Sequence, residues 1–199
     1  MADNGERPRP KCPAMQRLNG RIVYGNRPAP SFLDHAEPDD RVIVVNSFSK
    51  SWAMTGWRLG WMTVPADLLS QMEKLVEFNT SGAPTFLQHA GIAAIRDGED
   101  FVAEFVARCR AARDVAIDAL QACRRVEVAR PEGAFYAFLR VRGMADSLAF
   151  AKQALLTAKV GLAPGSAFGP MGEGYLRLCF ARDPQVVAEA VARLRPLLD

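Results

Sequence analysis

Residues 42–61 read VIVVNSFSKSWAMTGWRLGW, and this stretch decides the fold. Its first four residues are all β-branched, which predicts a strand buried on both faces of a mostly parallel sheet. Lys50 follows in a polar run, at the point where that strand should end. Because open α/β sheets bind ligands beyond the carboxyl ends of their strands, the pattern places Lys50 at a site.

The neighbours of Lys50 indicate a particular chemistry. A lysine in an unremarkable loop is usually a solvated charge. Here adjacent tryptophans can desolvate the amine, which favours a Schiff base with a carbonyl compound. The hydroxyls of Ser47 and Ser49 and the guanidinium of Arg58 are groups that hold a phosphate monoester. A Schiff-base lysine beside phosphate-binding groups indicates pyridoxal 5′-phosphate.

The run SFSKSWAMTGWRLGW resembles the cofactor-lysine segment of the class I/II aminotransferases, which are fold-type-I pyridoxal-phosphate enzymes. The resemblance implies that Lys50 bonds covalently to the cofactor and that Ser47 and Arg58 bind its phosphate. It gives Ser49 no fixed role. It extends over about residues 21–199, so the expected fold class is α/β, the C-terminal part of a fold-type-I transferase with an incomplete large-domain sheet.

The resemblance also predicts how the chain is organised. Apolar periodicity predicts five helices, over about residues 66–80, 84–96, 99–125, 146–159 and 184–197. We expect four parts: an unrelated, disordered leader over residues 1–20, a remnant of the cofactor-binding large domain over 21–98, a long linking helix over 99–125, and a small α/β domain over 126–199.

Arg177 stands in a strand-like run whose other members are mostly apolar. An arginine buried there without a partner would be very costly, so we expect it to have one. An internal salt bridge is one possibility. The resemblance favours the other, in which Arg177 binds the α-carboxylate of the substrate through a bidentate pair. The implied substrates are an amino acid and a 2-oxo acid.

The segment before Arg21 departs from the family pattern. In the family, a D-E-V-Y-like sequence supplies an aspartate for the pyridine nitrogen and a tyrosine for the ring oxygen, and counting back without gaps these fall on Gln16 and Asn19. Family segments further upstream have no counterpart either. We therefore expect a truncated aminotransferase, a homodimer if folded, that binds the cofactor weakly and turns over poorly.

The composition indicates which cellular compartment and which binding partners to expect. The chain has 199 residues, 49% of them hydrophobic and 24% charged, as in ordinary globular proteins. It has no 18-residue apolar run and no secretory signal, and its four cysteines are scattered without metal-ligand spacing, so we expect a cytoplasmic protein without metal or membrane contact. The basic first 27 residues have no aromatic residue before Tyr24, unlike a nucleic-acid-binding arm, so we expect no nucleic-acid partner.

Two alternatives remain at this stage. One is a catalytically inactive aminotransferase remnant that keeps the signature without the activity. The other is a serine acyltransferase of the S-x-x-K type, with Ser47 as nucleophile, Lys50 as its base, and residues 159–161 faintly like K-T-G. The second is weak because no S-D-N sequence follows the lysine.

Overall fold

The computed structural model describes residues 20–37 and 40–199, together with the backbone of residues 14–16. The chain divides into two compact units. Unit 1 consists of residues 1–21 and 28–102, and unit 2 of residues 22–27 and 103–199. None of the described helices is long and apolar enough to cross a membrane.

Unit 1 contains a three-stranded sheet in the order β1-β2-β3. These strands are β1 (Ala14–Gln16), β2 (Ile43–Ser47) and β3 (Gly60–Thr63). β1 is parallel to β2, and β3 is antiparallel to it. The sheet is therefore mixed, whereas the run of β-branched residues predicted a mostly parallel one. Of the residues in β2 only Val44 is fully buried, so the expectation of burial on both faces was wrong.

β1 corrects a second expectation. Residues 1–20 were predicted to be a disordered leader, yet Ala14–Gln16 pair with the first three residues of β2. For these three residues the sequence carries no strand signal, because the pairing is non-local and the segment has no period of its own. Residues 1–13 and 17–19 lie outside the described part of the chain.

The remaining elements of unit 1 are helical. α1 (Phe48–Ser51) directly follows β2, α2 (Leu69–Thr80) follows β3, and α3 (Thr85–Asp97) follows α2. α3 packs through Gly91, where a side chain would collide with Leu59 and Phe48. The predicted helices over about residues 66–80 and 84–96 are thus confirmed, the first with a 3-10 turn over its opening residues.

α4 (Glu99–Gln121) is the long helix predicted from residue 99 onward, and it ends four residues earlier than expected. Its apolar stripe supplies much of the core of unit 2. The fully buried members of that stripe are small or branched, so the helix packs closely: Cys109, Ala112, Ala116, Ile117 and Leu120.

Unit 2 is a four-stranded antiparallel sheet in the order β4-β5-β7-β6, packed with helices. The strands are β4 (Val126–Val128), β5 (Tyr136–Val141), β6 (Ala163–Pro164) and β7 (Tyr175–Cys179). The helices α5 (Ser147–Ala158) and α6 (Pro184–Leu198) agree with the predicted positions. Asp146 and Asp183 cap their first turns through side-chain oxygens, which explains where the two helices begin.

The segment 22–27 belongs to unit 2 through Tyr24 and its neighbours. The backbone of Tyr24 donates to Glu132 O at 2.8 Å, and Ile22 O accepts from Ala134 N at the same distance. The Tyr24 hydroxyl donates to Ala134 O, and the guanidinium of Arg113 lies 4.4 Å from the centre of its ring. Burial raises the pKa of Tyr24 above its ordinary value.

Candidate active site

Lys50 lies on a short turn that Ser47 holds in place. Ser47 ends β2 in an extended conformation, and its Oγ accepts a hydrogen bond from Ser49 N at 3.1 Å. Serine is favoured at such a position because its oxygen satisfies an otherwise unpaired N–H of the first helical turn. The strand thus passes directly into α1, and Lys50 is half-buried in this helix.

Further bonds brace this turn. The hydroxyls of Ser47 and Ser49 are 2.9 Å apart, and Ser47 Oγ is also 3.5 Å from Leu59 O. Thr55 Oγ1 donates to Ser49 O at 3.0 Å. Ser49 is buried while Ser47 is half-buried. Two hydroxyls therefore stand together at the end of β2, one residue on each side of Phe48.

Arg58 adopts an unusual backbone conformation. Its φ of 52° and ψ of 41° lie in the left-handed region, which costs about 1 to 2 kcal/mol for a residue with a side chain. Its Nη1 donates to Thr55 O at 3.0 Å, and the side chain is exposed. The remaining guanidinium donors bond to no other group in the described part of the chain. A strained and exposed arginine is typical of a ligand-binding position.

Aromatic rings pack around the turn. The ring of Phe48 lies 5.0 Å from that of Trp52 and 5.1 Å from that of Trp61. Trp52 is buried, and Arg21 lies over its ring at 5.1 Å. The Nε1 atom of Trp52 has no hydrogen-bond partner among the described residues. A Cβ at Gly98 would lie 3.0 Å from that atom. These rings keep the turn that carries Lys50 in one arrangement.

Arg177 is on the solvent-facing side of its strand. Along β7, Leu176 and Leu178 are buried, whereas Arg177 points to the other face and is half-buried. Its Cζ lies 4.3 Å from the ring centre of Tyr136 and 4.6 Å from that of Phe168. The internal salt bridge considered from the sequence is not present, since no described carboxylate pairs with Arg177. Aromatic rings take that place.

The predicted site residues fall in both units. Ser47, Lys50 and Arg58 lie in unit 1, and Arg177 lies in unit 2. Gln16 pairs with Val45 through the backbone register, and its side chain, like the whole of Asn19, is outside the described residues.

Sequence reasoning missed Tyr136 and Phe168 as neighbours of Arg177. Alternation along two antiparallel strands could have indicated Tyr136, which shares a sheet face with Arg177. Phe168 lies in a 3-10 turn over Gly165–Phe168, a segment with no period from which its contact could have been read.

Comparison with known proteins identifies the family and the fold of this chain. The family model for aminotransferase class I and II matches residues 20–194. The chain belongs to this family. It is 36% identical over 163 residues to an aspartate aminotransferase of Pyrococcus horikoshii, which covers 80% of this chain and 42% of that relative.

Other relatives give the same result. An aspartate aminotransferase of Musicola paradisiaca is 35% identical over 179 residues, 89% of this chain and 45% of the relative. The solved structure of an aromatic aminotransferase from Pyrococcus horikoshii OT3 matches with a TM-score of 0.86 at 32% identity, covering 93% of this chain and 50% of that one. The chain thus spans about half the length of the relatives it matches. The fold is the expected one, while the S-x-x-K acyltransferase alternative has no support here.

Proposed function

We propose that this chain carries the cofactor-lysine turn and the carboxylate-binding arginine of a pyridoxal-phosphate-dependent aminotransferase. The observation that supports this most is the turn capped by Ser47, which holds Lys50 at the end of β2 with two hydroxyls beside it. Membership of the family supports the same assignment.

The residues present fit the cofactor. Hydroxyl and guanidinium groups suit a phosphate, and a half-buried amine suits a carbonyl group. Ser47 would donate its hydroxyl hydrogen to the phosphate and Arg58 its unused guanidinium N–H groups. Lys50 would bind the cofactor carbonyl and, when released, would move the proton at the substrate Cα. When bound, the cofactor supplies the electron sink that makes this proton labile.

Arg177 would bind the substrate through its α-carboxylate. A planar guanidinium matches a carboxylate with two parallel N–H···O bonds, and no described carboxylate of the chain competes for it. An amino acid and a 2-oxo acid share this carboxylate, so one arginine can recognise both. The proposed substrates are therefore an amino acid and a 2-oxo acid, which exchange an amino group.

Two further features are part of this proposal. We place the protein in a reducing cytoplasm, supported by the free thiols of Cys109, Cys123 and Cys179.

We also assign it a homodimeric state, supported by large apolar side chains exposed on α2 and α3. Phe78 is 89% exposed and Phe86 is 67% exposed. Light scattering on the purified chain tests the second point, and a monomer at all concentrations would refute it.

Amino transfer can be measured directly. Purified protein is mixed with pyridoxal 5′-phosphate, 2-oxoglutarate and ¹⁵N-labelled aspartate or phenylalanine, the donors that the names of the relatives suggest. The control is Lys50→Arg, which keeps the charge but forms no covalent bond to the cofactor. We expect labelled glutamate to form faster with the unaltered chain than with the variant. Equal rates would overturn the proposal, because free cofactor alone would explain the transfer.

A further inference from the structure

Arg177 is part of a continuous row of rings on the outer face of the sheet in unit 2. Phe168 lies edge-on to Phe138, with ring centres 5.9 Å apart and planes at 85°. Phe138 in turn stacks on Tyr175 at 5.0 Å with planes 7° apart. Together with Tyr136, these residues form what we call the aromatic row, and they lie on the face opposite Leu176 and Leu178.

The strand register explains why Arg177 meets Tyr136. Arg177 is directly opposite Phe138, but its guanidinium reaches the diagonal neighbour, Tyr136. Tyr175 also makes a diagonal contact. It is opposite Arg140 in the strand register, but its ring stacks on that of Phe138. Diagonal contacts of this kind are within reach of long and aromatic side chains on antiparallel strands. Because the ring of Phe138 stacks on Tyr175, the guanidinium of Arg177 contacts two other rings. These are Tyr136 on the neighbouring strand and Phe168 in the 3-10 turn.

Contact with rings restrains an arginine differently from a salt bridge. A ring attracts the flat face of the guanidinium, whereas the N–H donors lie in its plane and point outward. A carboxylate partner would consume those donors. In the described part of the chain, Arg177 makes no hydrogen bond or ion pair, so both ring contacts orient the group without using its donors.

We propose that Tyr136 and Phe168 are positioning residues, which hold the guanidinium of Arg177 with its N–H edge free for a carboxylate. This inference rests on the proposed function, because it gives a purpose to the restraint on Arg177. Phe168 packs against Phe138, which in turn stacks on Tyr175. If the Arg177 side chain is already restrained before the carboxylate binds, it loses less conformational entropy on binding.

The restraint can be measured without any enzymatic activity. ¹⁵N relaxation of the arginine Nε–H groups in the full chain reports how mobile the Arg177 guanidinium is. Titration with pyruvate, followed at the same resonance, gives the affinity for a carboxylate. The test variants are Tyr136→Leu and Phe168→Leu. The matched controls are Tyr136→Phe and Phe168→Tyr, which keep a ring at each position, and amide spectra show whether each variant is folded.

We expect Arg177 Nε to be rigid in the unaltered chain and in both controls, and mobile in both leucine variants. Pyruvate affinity should fall about threefold in each leucine variant, because an unrestrained arginine loses more side-chain entropy on binding, and it should change less than twofold in the controls. Equal mobility of Nε in the unaltered and leucine variants would overturn the inference, as would equal pyruvate affinity. Restrained Nε with no pyruvate binding would instead refute the carboxylate role of Arg177 and leave the positioning by the two rings in place.

Discussion

The Oγ atoms of Ser47 and Ser49 lie 2.9 Å apart, one at the last residue of β2 and the other inside α1. The same Ser47 oxygen accepts from Ser49 N, so one side chain both caps the helix and contacts the second hydroxyl of the turn that carries Lys50. The helix cap and the proposed phosphate contact therefore depend on the same side chain, and one substitution should affect both.

Replacing Ser47 by alanine should lower the free energy of unfolding by about 1 kcal/mol, because the cap on α1 is lost. The affinity for pyridoxal 5′-phosphate should also fall, since one proposed phosphate donor disappears. Ser47→Thr keeps the hydroxyl and should retain most of both properties. Urea denaturation and a fluorescence titration with the cofactor measure the two effects. An alanine variant with unaltered affinity would exclude Ser47 from phosphate binding.

Gly60 is opposite Ser47 in the sheet, and the backbone leaves no room for a side chain there. A Cβ at Gly60 would lie 2.4 Å from Asn46 O, so Gly60→Ala should push β3 away from β2 and cost about 1 to 3 kcal/mol. Gly56→Ala is the matched control, because nothing lies within 4 Å of a Cβ at that position. Thermal unfolding of both variants checks this. Equal stabilities would mean that β2 and β3 are not paired as described.

Arg58 and Ala53 share the same strained backbone, both with φ of 52°. Glycine removes the strain but adds freedom to the unfolded chain, so we expect each glycine variant to gain about 0.5 kcal/mol of stability. Their cofactor affinities should diverge. Arg58→Gly loses a proposed phosphate ligand and should bind at least tenfold more weakly, whereas Ala53→Gly should bind normally. Similar affinities in the two variants would remove Arg58 from the site.

Alkaline pH should destabilise the protein through Cys109. Burial raises the pKa of this thiol to about 11, while an unfolded thiol titrates near 8.5, so above that pH the unfolded state loses its proton first. The stabilisation is complete below about pH 8.5 and is lost as the pH rises towards 11, by about 3 to 4 kcal/mol at most. Urea unfolding across this range measures it.

Cys109→Ala is the control for this pH dependence. It should show a shallower loss of stability over the same range, the remaining slope coming from groups such as Tyr24, whose pKa is also raised by burial. If the slopes of the two proteins coincide, Cys109 contributes nothing to the alkaline loss.

Features that depend only on residues close together in the chain could be predicted from the sequence. α3, α5 and α6 were predicted closely because the apolar period of a helix is a local signal. The assignment of Ser47, Lys50 and Arg58 to one site came from spacing and from family resemblance, and it stays a prediction. The cap geometry of Ser47 and the left-handed backbone of Arg58 could not be predicted, because both depend on how β2 and β3 come together.

Non-local contacts account for what the sequence did not reveal. β1 forms only by pairing with a strand much later in the chain, and three residues carry no readable period. An internal salt bridge to Arg177 was one possibility, because the strand around it is apolar. Alternation along β7 instead turns Arg177 to the outer face, where Tyr136 and Phe168 contact it.

Covalent labelling of Lys50 tests the proposed cofactor site most directly. The purified chain is incubated with pyridoxal 5′-phosphate, reduced with borohydride and digested for peptide mapping, and a parallel sample receives pyridoxal without the phosphate. We expect label on Lys50 well ahead of the four other lysines, Lys11, Lys74, Lys152 and Lys159, and only when the phosphate is present. Label spread evenly over all five lysines, or equal labelling by pyridoxal, would contradict a cofactor site formed by Ser47, Lys50 and Arg58.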